Sequence, residues 1–187
     1  MIKIDKITPC DNPQFIKPQR VWYTQDGVSK SWEVVETHDS VAILLYHQSE
    51  EAFILVKQFR PAVFLKNEEG YTYELCAGLI DKADKSVAQI AREEIMEECG
   101  YDVETSLLVR ITSFFTAVGF AGGEQTLFYA AVDESMHTGK GGGIDDEMIE
   151  VVKLPLHEAR NFMFDETKAK TPGLLFAFMW FFEHYKK

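Results

Sequence analysis

The chain has 187 residues, of which 46% are hydrophobic and 26% are charged, and its formal net charge at pH 7 is -11. This length and composition are typical of one globular domain that buries its own core, here with a short N-terminal extension. The acidity argues against a duplex nucleic-acid binder, which needs a basic surface, and against binding to anionic membranes.

The cysteines and the apolar runs bear on the cellular compartment. Cys10, Cys76 and Cys99 are odd in number and show no C-x-x-C spacing, so we expect neither a disulfide framework nor a zinc site. The start of the chain lacks the apolar run of a signal peptide, and the longest apolar run, at 173–182, is shorter than a membrane span of about 20 residues. These features predict a cytoplasmic protein.

The first third of the chain predicts two β-hairpins. Residues 21–23 and 31–35 flank the turn Gln25-Asp26-Gly27, which predicts an N-terminal hairpin. Residues 41–46 and 52–59 are rich in β-forming side chains and are separated by a polar turn. They predict a second hairpin that belongs to the main sheet.

A strand and then a helix follow. Residues 71–77 predict a strand that ends at Gly78. Ser86 is a good N-cap, and Gln89, three residues further on, completes a capping box. Gly100 stands where a glycine ends a helix. Between these signals one apolar stripe recurs at helical spacing: Ala88, Ala91, Ile95 and Cys99.

The second half of the chain alternates strands with helices. A glycine-rich loop separates its first two strands, and a second such loop, at 139–143, precedes the third. Pro172 opens the last helix, which is apolar almost all round and therefore belongs in a core or at a subunit interface. The predicted strands are 107–115, 125–132 and 147–156, and the predicted helices are 157–164 and 173–185.

The order of these elements predicts the fold class. Strands, a helix, more strands and further helices favour an α+β fold in which helices cover both faces of a mixed sheet. We expect residues 1–39 to form an N-terminal β extension and residues 40–187 to form the main domain.

The helix is unusually acidic. Glu94 lies one turn from both Glu97 and Glu98, and like charges at this spacing destabilise an isolated helix by roughly a few tenths of a kcal/mol per pair. A divalent cation turns this repulsion into ligation, and carboxylate oxygens are the ligands that magnesium prefers. Taken alone, such a segment is more often a solvated acidic face, so a structural protein without catalysis stays an alternative.

The strand before the helix adds to the metal hypothesis. It ends in Cys76-Ala77-Gly78, and a glycine there lets the backbone approach a cation closely. The backbone carbonyl of Ala77 is therefore a candidate ligand.

Gly78 and the acidic helix together resemble the signature of the Nudix family, G-x5-E-x7-R-E-U-x-E-E-x-G-U, in which U is an apolar residue. The chain departs from it at three places. One extra residue precedes the helix, and Asp84 or Lys85 falls near the first acidic position. Glu93 replaces the arginine that steadies the glutamates in the family, with Arg92 one place earlier. The matching residues are Gly78, Glu94, Ile95, Glu97, Glu98, Gly100 and Tyr101.

The likeness extends over most of the chain from about Trp22 onward. It is greatest to the UDP-sugar diphosphatase branch, a sister of the ADP-ribose and GDP-mannose pyrophosphatases. The resemblance implies magnesium-dependent hydrolysis of a nucleotide sugar to a nucleoside monophosphate and a sugar phosphate. It also implies a homodimer whose N-terminal strands cross to the partner. The segments that carry it are 30–32, 37–41, 56–63, 73–79 and 141–144.

The resemblance also implies catalytic roles. Glu94, Glu98 and the backbone oxygen of Ala77 would hold Mg²⁺, or Mn²⁺ in its place, and Glu97 would support them as a catalytic residue. The acidic loop of Asp145, Asp146 and Glu147 would supply the general base, with Glu147 aligning best. Because glycines lie next to these acids, we also consider that the loop is a mobile lid. The alternative is that the loop is only a polar connection.

Four residues are candidates for substrate binding. Gly78 would lie next to the substrate, and Arg60 would grip a phosphate, unless it forms only a surface salt bridge. Trp32 would stack on the nucleobase, either in its own subunit or in the partner subunit, or would be a buried cross-strand aromatic. Glu124 would contact substrate or metal, or would be a simple turn acid.

The substrate is harder to predict than the reaction. ADP-ribose hydrolases of the family usually carry a proline about fifteen residues after the signature, where this chain has Thr116, Ala117 and Val118. This argues against a dedicated ADP-ribose enzyme and agrees with a UDP-sugar such as UDP-glucose. An ADP-ribose or GDP-mannose pyrophosphatase stays an alternative, as does a non-catalytic domain that binds a nucleotide sugar.

Overall fold

The computed structural model describes residue 2, residues 4–13 and residues 16–185. An antiparallel hairpin, β1 (Lys17–Gln25) and β2 (Val28–Glu36), comes first, and both strands are longer than predicted. Its turn holds Asp26 and Gly27 at positive φ angles of 52° and 77°, a conformation that an Asp-Gly pair tolerates well. The hairpin is largely exposed, and the N–H of Val35 joins it to the main body by donating to the carbonyl of Phe120 at 2.7 Å.

A mixed sheet of seven strands forms the centre. Five of them lie in the order β5-β4-β3-β8-β7, while β6 pairs with β3 and β9 pairs with β4. The β3–β8 pair is parallel and the remaining pairs are antiparallel. The strands are β3 (Ser40–His47), β4 (Ala52–Phe59), β5 (Tyr71–Glu74), β6 (Cys76–Leu79), β7 (Val109–Phe115), β8 (Glu124–Val132) and β9 (Ile149–Pro155).

Helices cover both faces of this sheet. In β3, Val41, Ile43 and Leu45 pack in the same core as α2, while the residues between them pack in the core that contains α3 and α4. A strand that is buried on both faces has a continuous apolar sequence, and β3 has such a sequence. The predicted α+β fold with a mixed sheet between helices is confirmed. The helices are α1 (Pro61–Asn67), α2 (Val87–Glu94), α3 (Leu156–Phe164) and α4 (Pro172–His184).

The predicted strand 71–77 is wrong in one respect, because two strands lie there. The chain leaves β5 at Leu75 and continues as β6, which places Gly78 inside a strand rather than at its end. The cause is that β3 pairs with β4 only at residues 45–47, which leaves residues 40–43 to pair with β6. Helix α1 was not predicted, because its seven residues are too few to show a helical repeat of apolar positions.

The acidic helix begins and ends at the predicted residues, but its last turn has a different hydrogen-bond pattern. Both hydrogen bonds of the capping box between Ser86 and Gln89 are present, and Gly100 ends the helix at a φ of 78°. The last turn, Ile95–Cys99, is π-helical rather than α-helical. Single π turns are often found at functional sites, and this one carries Glu97 and Glu98.

Helix α4 is half buried and half exposed. Leu174, Phe178 and Phe181 lie in the core, which confirms the predicted core position, whereas Phe176 and Met179 are 46% and 52% exposed. A subunit interface on the exposed side stays a prediction. Among the described residues, no helix has both the length and the apolar character needed to cross a membrane.

Candidate active site

A cleft of about 570 Å³ lies where the start of β3, the end of β4, β6 and the acidic helix meet. The loop before β9 forms its remaining wall. Two cationic side chains, Arg60 and Lys82, face a larger number of carboxylates across this space. The acidic residues that line the cleft are Glu74, Asp81, Glu94, Glu97, Glu98 and Glu147.

Glu98 is the most buried of these acids, at 5% exposure. Its Oε2 accepts a hydrogen bond from the backbone N–H of Ala77 at 2.9 Å, which fixes the carboxylate against β6. Burial raises its pKa from 4.5 to about 8, although the bonds from Ala77 and from the Cys76 thiol act in the opposite direction. The π turn of the helix therefore holds a carboxylate in a place where its charge is costly.

Glu94 approaches the same strand one turn earlier. A Cβ atom at Gly78 would lie 2.0 Å from its Cδ, so the space that the carboxylate occupies exists only because residue 78 is glycine. Burial raises the pKa of Glu94 to about 7, the charge of Glu97 adds to this effect, and Lys82 opposes it.

This donor set suits a hard divalent cation. Glu94 and Glu98 are desolvated, present only oxygen atoms, and gain in energy when a cation neutralises them. No three of the cleft acids have carboxylate oxygens that all lie within 4.8 Å of one another. Over the described parts of the chain, the one group of three such donors within 4.8 Å of one another contains His47, Glu50 and Glu134 and lies elsewhere. The cleft acids therefore have to rotate inward to share one ion.

The second glycine-rich loop is docked against the end of the acidic helix. The N–H of Gly142 donates to the carbonyl of Glu98 at 2.8 Å, and the N–H of Gly143 donates to the carbonyl of Glu97 at 3.0 Å. A Cβ at Gly141 would lie 2.4 Å from the Glu98 carbonyl oxygen, so the close approach requires glycine. These bonds join the acidic helix to the loop that carries the candidate base.

Of the three acids predicted in that loop, only Glu147 lines the cleft. Its Oε2 accepts from the N–H of Ile144 at 3.0 Å, and its own N–H donates to the Ile144 carbonyl at 3.0 Å, so a tight turn orients the side chain. Asp145 and Asp146 are exposed and do not line the cleft. Neighbouring loop residues point in different directions, and the amino-acid sequence alone does not indicate which of them faces the cleft.

Arg60 lines the cleft and is also held by a partner. Its Nε and Nη2 donate to the two carboxylate oxygens of Glu74 at 2.8 and 2.7 Å, and the Arg60 side chain is 47% exposed. Arg60 therefore forms a salt bridge, which was the alternative to phosphate binding. The same bidentate contact fixes the guanidinium plane at the edge of the cleft, where contact with a phosphate stays a prediction.

Two predicted substrate residues lie outside the cleft of their own chain. Trp32 is 57% exposed and its Nε1 donates to the carbonyl of Gly119 at 2.6 Å, so the alternative of a buried cross-strand aromatic is wrong. Glu124 begins β8, and its N–H donates to Oδ1 of Asp39 at 2.8 Å, while the next residue, Gln125, lines the cleft.

The departure from the signature arginine has a visible consequence. Arg92 pairs with Asp102 and Glu104 at 2.8 and 2.9 Å, on the side of the helix away from Glu98. Glu93, in the place of the arginine, pairs with Lys82 and Lys85. In this chain the backbone of Ala77, rather than that arginine, positions Glu98.

Three of the charged residues in the cleft were not predicted as site residues: Glu74, Asp81 and Lys82. Asp81 and Lys82 lie in the connection between Gly78 and the helix, where the signature leaves the residue type open. Glu74 is recognisable only through its pairing with Arg60, which follows from the alignment of β4 with β5.

The chain is similar in sequence to known proteins. The family model described as the NUDIX domain matches residues 36–173. The uridine diphosphate glucose pyrophosphatase NUDT14 of Bos taurus is 40% identical over 201 residues, which cover 92% of this chain and 90% of that protein. Its Mus musculus counterpart is 36% identical with the same coverage. A GDP-mannose pyrophosphatase of Pectobacterium atrosepticum is 40% identical over 137 residues, 71% of this chain and 67% of that protein.

Proposed function

The chain belongs to the Nudix family, and we propose that it hydrolyses the diphosphate bond of nucleotide sugars, foremost UDP-glucose. The observation that carries the proposal is the cleft itself, in which Glu94, Glu97 and Glu98 of the family signature face Glu147 and Arg60. The substrate follows from likeness over 92% of the chain to a relative named as a uridine diphosphate glucose pyrophosphatase.

Magnesium is the cation that we assign to the cleft, with manganese able to replace it. Glu94, Glu98 and the carbonyl of Ala77 would hold it, with Glu97 in support, because these are the oxygen donors on the wall that β6 and the helix share. Such a cation neutralises the diphosphate and lowers the pKa of the attacking water. Among the chain's own residues, Ala77 and Gly78 keep the two carboxylates in place.

The residues on the other side of the cleft would handle the proton and the phosphate. Glu147 would accept the proton of the attacking water as that water adds to one phosphorus. The P–O bond to the bridging oxygen breaks, and UDP-glucose gives UMP and glucose 1-phosphate. Arg60, oriented by Glu74, would bind a phosphate oxygen and hold the diphosphate in line. Asp146 could replace Glu147 as the base only if the loop rearranged.

The N-terminal hairpin supports a homodimer. Residues 1–39 would form the dimerisation extension, since Trp22, Val28 and Trp32 are 73%, 57% and 57% exposed on a small two-stranded sheet. Trp32 would then face the substrate of the partner rather than that of its own chain. Three free cysteines, two of them buried, fit a reducing cytoplasm.

The test is turnover by the purified protein. UDP-glucose, GDP-mannose and ADP-ribose are incubated with magnesium or with a chelator, and the nucleotides are separated by chromatography. We expect UMP from UDP-glucose as the fastest reaction, its loss with the chelator, and its loss in Glu98→Gln. Glu158→Gln, a change to an exposed helix glutamate far from the cleft, serves as the matched control.

Each other outcome identifies an alternative. Faster release of GMP or AMP would assign the chain to the GDP-mannose or ADP-ribose enzymes. Binding of a nucleotide sugar without turnover, with magnesium present, would indicate a non-catalytic domain and overturn the proposal.

A further inference from the structure

A second cluster of ligand-type side chains lies at the far end of β3. Ser40, at the start of this strand, lines the cleft, and His47, at its end, is about 23 Å away at the rise of a β-strand. Around His47 lie Glu50, in the turn between β3 and β4, and Glu134, in the short helical turn that follows β8.

His47 carries the unusual feature of this cluster. Its side chain is 0% exposed, and its Nε2 is the one buried side-chain nitrogen or oxygen in the described part of the chain that has no hydrogen-bond partner. A buried polar atom without a partner costs roughly 1–3 kcal/mol, so native structures seldom keep one without a function. An unpartnered imidazole nitrogen is also the usual metal ligand of histidine.

Two carboxylates face this nitrogen. Nε2 lies 3.8 Å from Oε2 of Glu134 and 3.9 Å from Oε1 of Glu50, too far for a hydrogen bond. In a tetrahedral zinc site with bonds of about 2.0–2.1 Å, neighbouring ligand atoms lie about 3.4 Å apart, so a small inward movement suffices. Glu50 and Glu134 are 40% and 71% exposed, so core packing does not prevent that movement.

The remaining groups around the cluster fit the same interpretation. Nδ1 of His137 lies 3.5 Å from the other oxygen of Glu134, where it can orient that carboxylate from behind. Lys153 donates to Oε1 of Glu50 at 2.6 Å and would have to share or yield this carboxylate. The N–H of Glu50 donates to Nδ1 of His47 at 3.3 Å, and the hydroxyl of Ser49 lies 3.5 Å from the same nitrogen. Nδ1 is therefore an acceptor in this structure, and Nε2 carries the hydrogen of the neutral imidazole.

We propose that His47, Glu50 and Glu134 form a second metal site, separate from the cleft, that binds a borderline divalent cation such as Zn²⁺. One imidazole nitrogen with two carboxylate oxygens favours zinc over magnesium, which prefers oxygen donors alone. To bind the ion, His47 changes tautomer: Nε2 loses its proton and becomes the ligand, while Nδ1 gains one and exchanges the bond from the N–H of Glu50 for a bond to the hydroxyl of Ser49. The ion ties the β3–β4 turn to the turn after β8 and so stabilises the end of the sheet opposite to the cleft.

The test uses Zn²⁺ and the full chain, with excess Mg²⁺ to occupy the cleft acids. Bound zinc per chain is measured after equilibrium dialysis for the unmodified protein, Glu134→Gln and Glu50→Gln. We expect each variant to bind one zinc fewer per chain. Glu158→Gln removes the acid of an exposed His–Glu pair with a spacing of 3.5 Å and should bind as much zinc as the unmodified protein.

Thermal stability gives a second readout. Zinc at 100 times its Kd should raise the Tm of the unmodified protein by about 5–10 °C more than that of Glu134→Gln. Glu134 is chosen over His47 because its exposed side chain can be changed without disturbing the core. Equal zinc binding and equal Tm shifts in the unmodified protein and in Glu134→Gln would overturn the proposal and leave zinc at the cleft acids alone.

Discussion

Glutamates on the two sides of the acidic helix lie in opposite electrostatic environments. On one side Glu93 pairs with Lys82 and Lys85, and these cations hold its pKa below the ordinary value. On the other side Glu98 is buried and Glu94 is half-buried among further carboxylates, and the pKa values of Glu94 and Glu98 rise to about 7 and about 8. The charge of Glu93 is neutralised by lysines of the chain itself, whereas the charges of Glu94 and Glu98, which line the cleft, are left for a ligand to neutralise.

The largest difference between the two sides should appear in catalysis. Glu98→Gln removes a proposed cation ligand and should lower kcat/KM for UDP-glucose by about 100- to 1000-fold, since ligation contributes several kcal/mol to the transition state. Glu93→Gln, one turn away on the paired side, should lower it less than about threefold. Steady-state kinetics on both variants measure this difference. Equal losses of kcat/KM in the two variants would contradict a functional difference between the two sides of the helix.

The loop opposite the helix allows a similar contrast. Glu147 lines the cleft and Asp146 does not, so Glu147→Gln should lower kcat about 100-fold or more, as expected for loss of a general base. Asp146→Asn should leave kcat nearly unchanged. Steady-state kinetics decide between a chemical and a structural role, because loss of a base lowers kcat while KM changes little.

Gly78 tests the packing on which the cleft side depends. Gly78→Ala places a methyl group 2.0 Å from Cδ of Glu94, so the carboxylate has to leave its position. We expect a loss of kcat/KM of about 10- to 100-fold and a cost in stability of about 1–3 kcal/mol. The matched control is Gly119→Ala, because a Cβ at Gly119 meets nothing within 4 Å. A fully active Gly78→Ala would mean that Glu94 does not need this position.

The two sides should also differ in how pH affects stability. The folded-state pKa values of Glu94 and Glu98 lie above the ordinary 4.5, so their contribution to stability is present below pH 4.5 and is lost as the pH rises through 7 and 8. Without metal, the free energy of unfolding should fall by a few kcal/mol over this range. Excess magnesium should reverse the fall, because it binds the charged form.

Thermal unfolding between pH 5 and pH 9, with chelator and with magnesium, measures this dependence. Glu98→Gln should flatten the metal-free curve, while Glu158→Gln should leave it unchanged. A metal-free protein whose stability rises steadily with pH in this range would contradict the assigned burial of the two carboxylates.

The same contrast explains how much the sequence can predict. Local signals identify Ser86, Gln89 and Gly100 as helix boundaries, because capping depends on nearby residues alone. Helical spacing likewise brings Glu94 and Glu98 to one face. The division of 71–77 into two strands could not be predicted, since it depends on how β3 and β4 diverge.

Residues brought together from distant segments carry no such signal. The pairing of Arg60 with Glu74 depends on the register of β4 against β5, and the inward direction of Glu147 depends on a turn closed through Ile144. The π turn beneath Glu98 is equally hidden, because a π turn and an α turn draw on the same residue types. Trp32 could be assigned to a strand but not to a face.

The smallest effect should come from Arg92, and it sharpens the comparison most. In the family signature an arginine steadies the glutamates, but here Arg92 pairs with Asp102 and Glu104 on the paired side of the helix. Because these pairs are exposed, Arg92→Gln should lower the Tm by no more than a few degrees and leave kcat/KM within about twofold. A large loss of kcat/KM with an unchanged Tm would show that Arg92 acts on the cleft across the helix. Retained activity would instead assign the positioning of Glu98 to the backbone N–H of Ala77, a contact that no side-chain substitution removes.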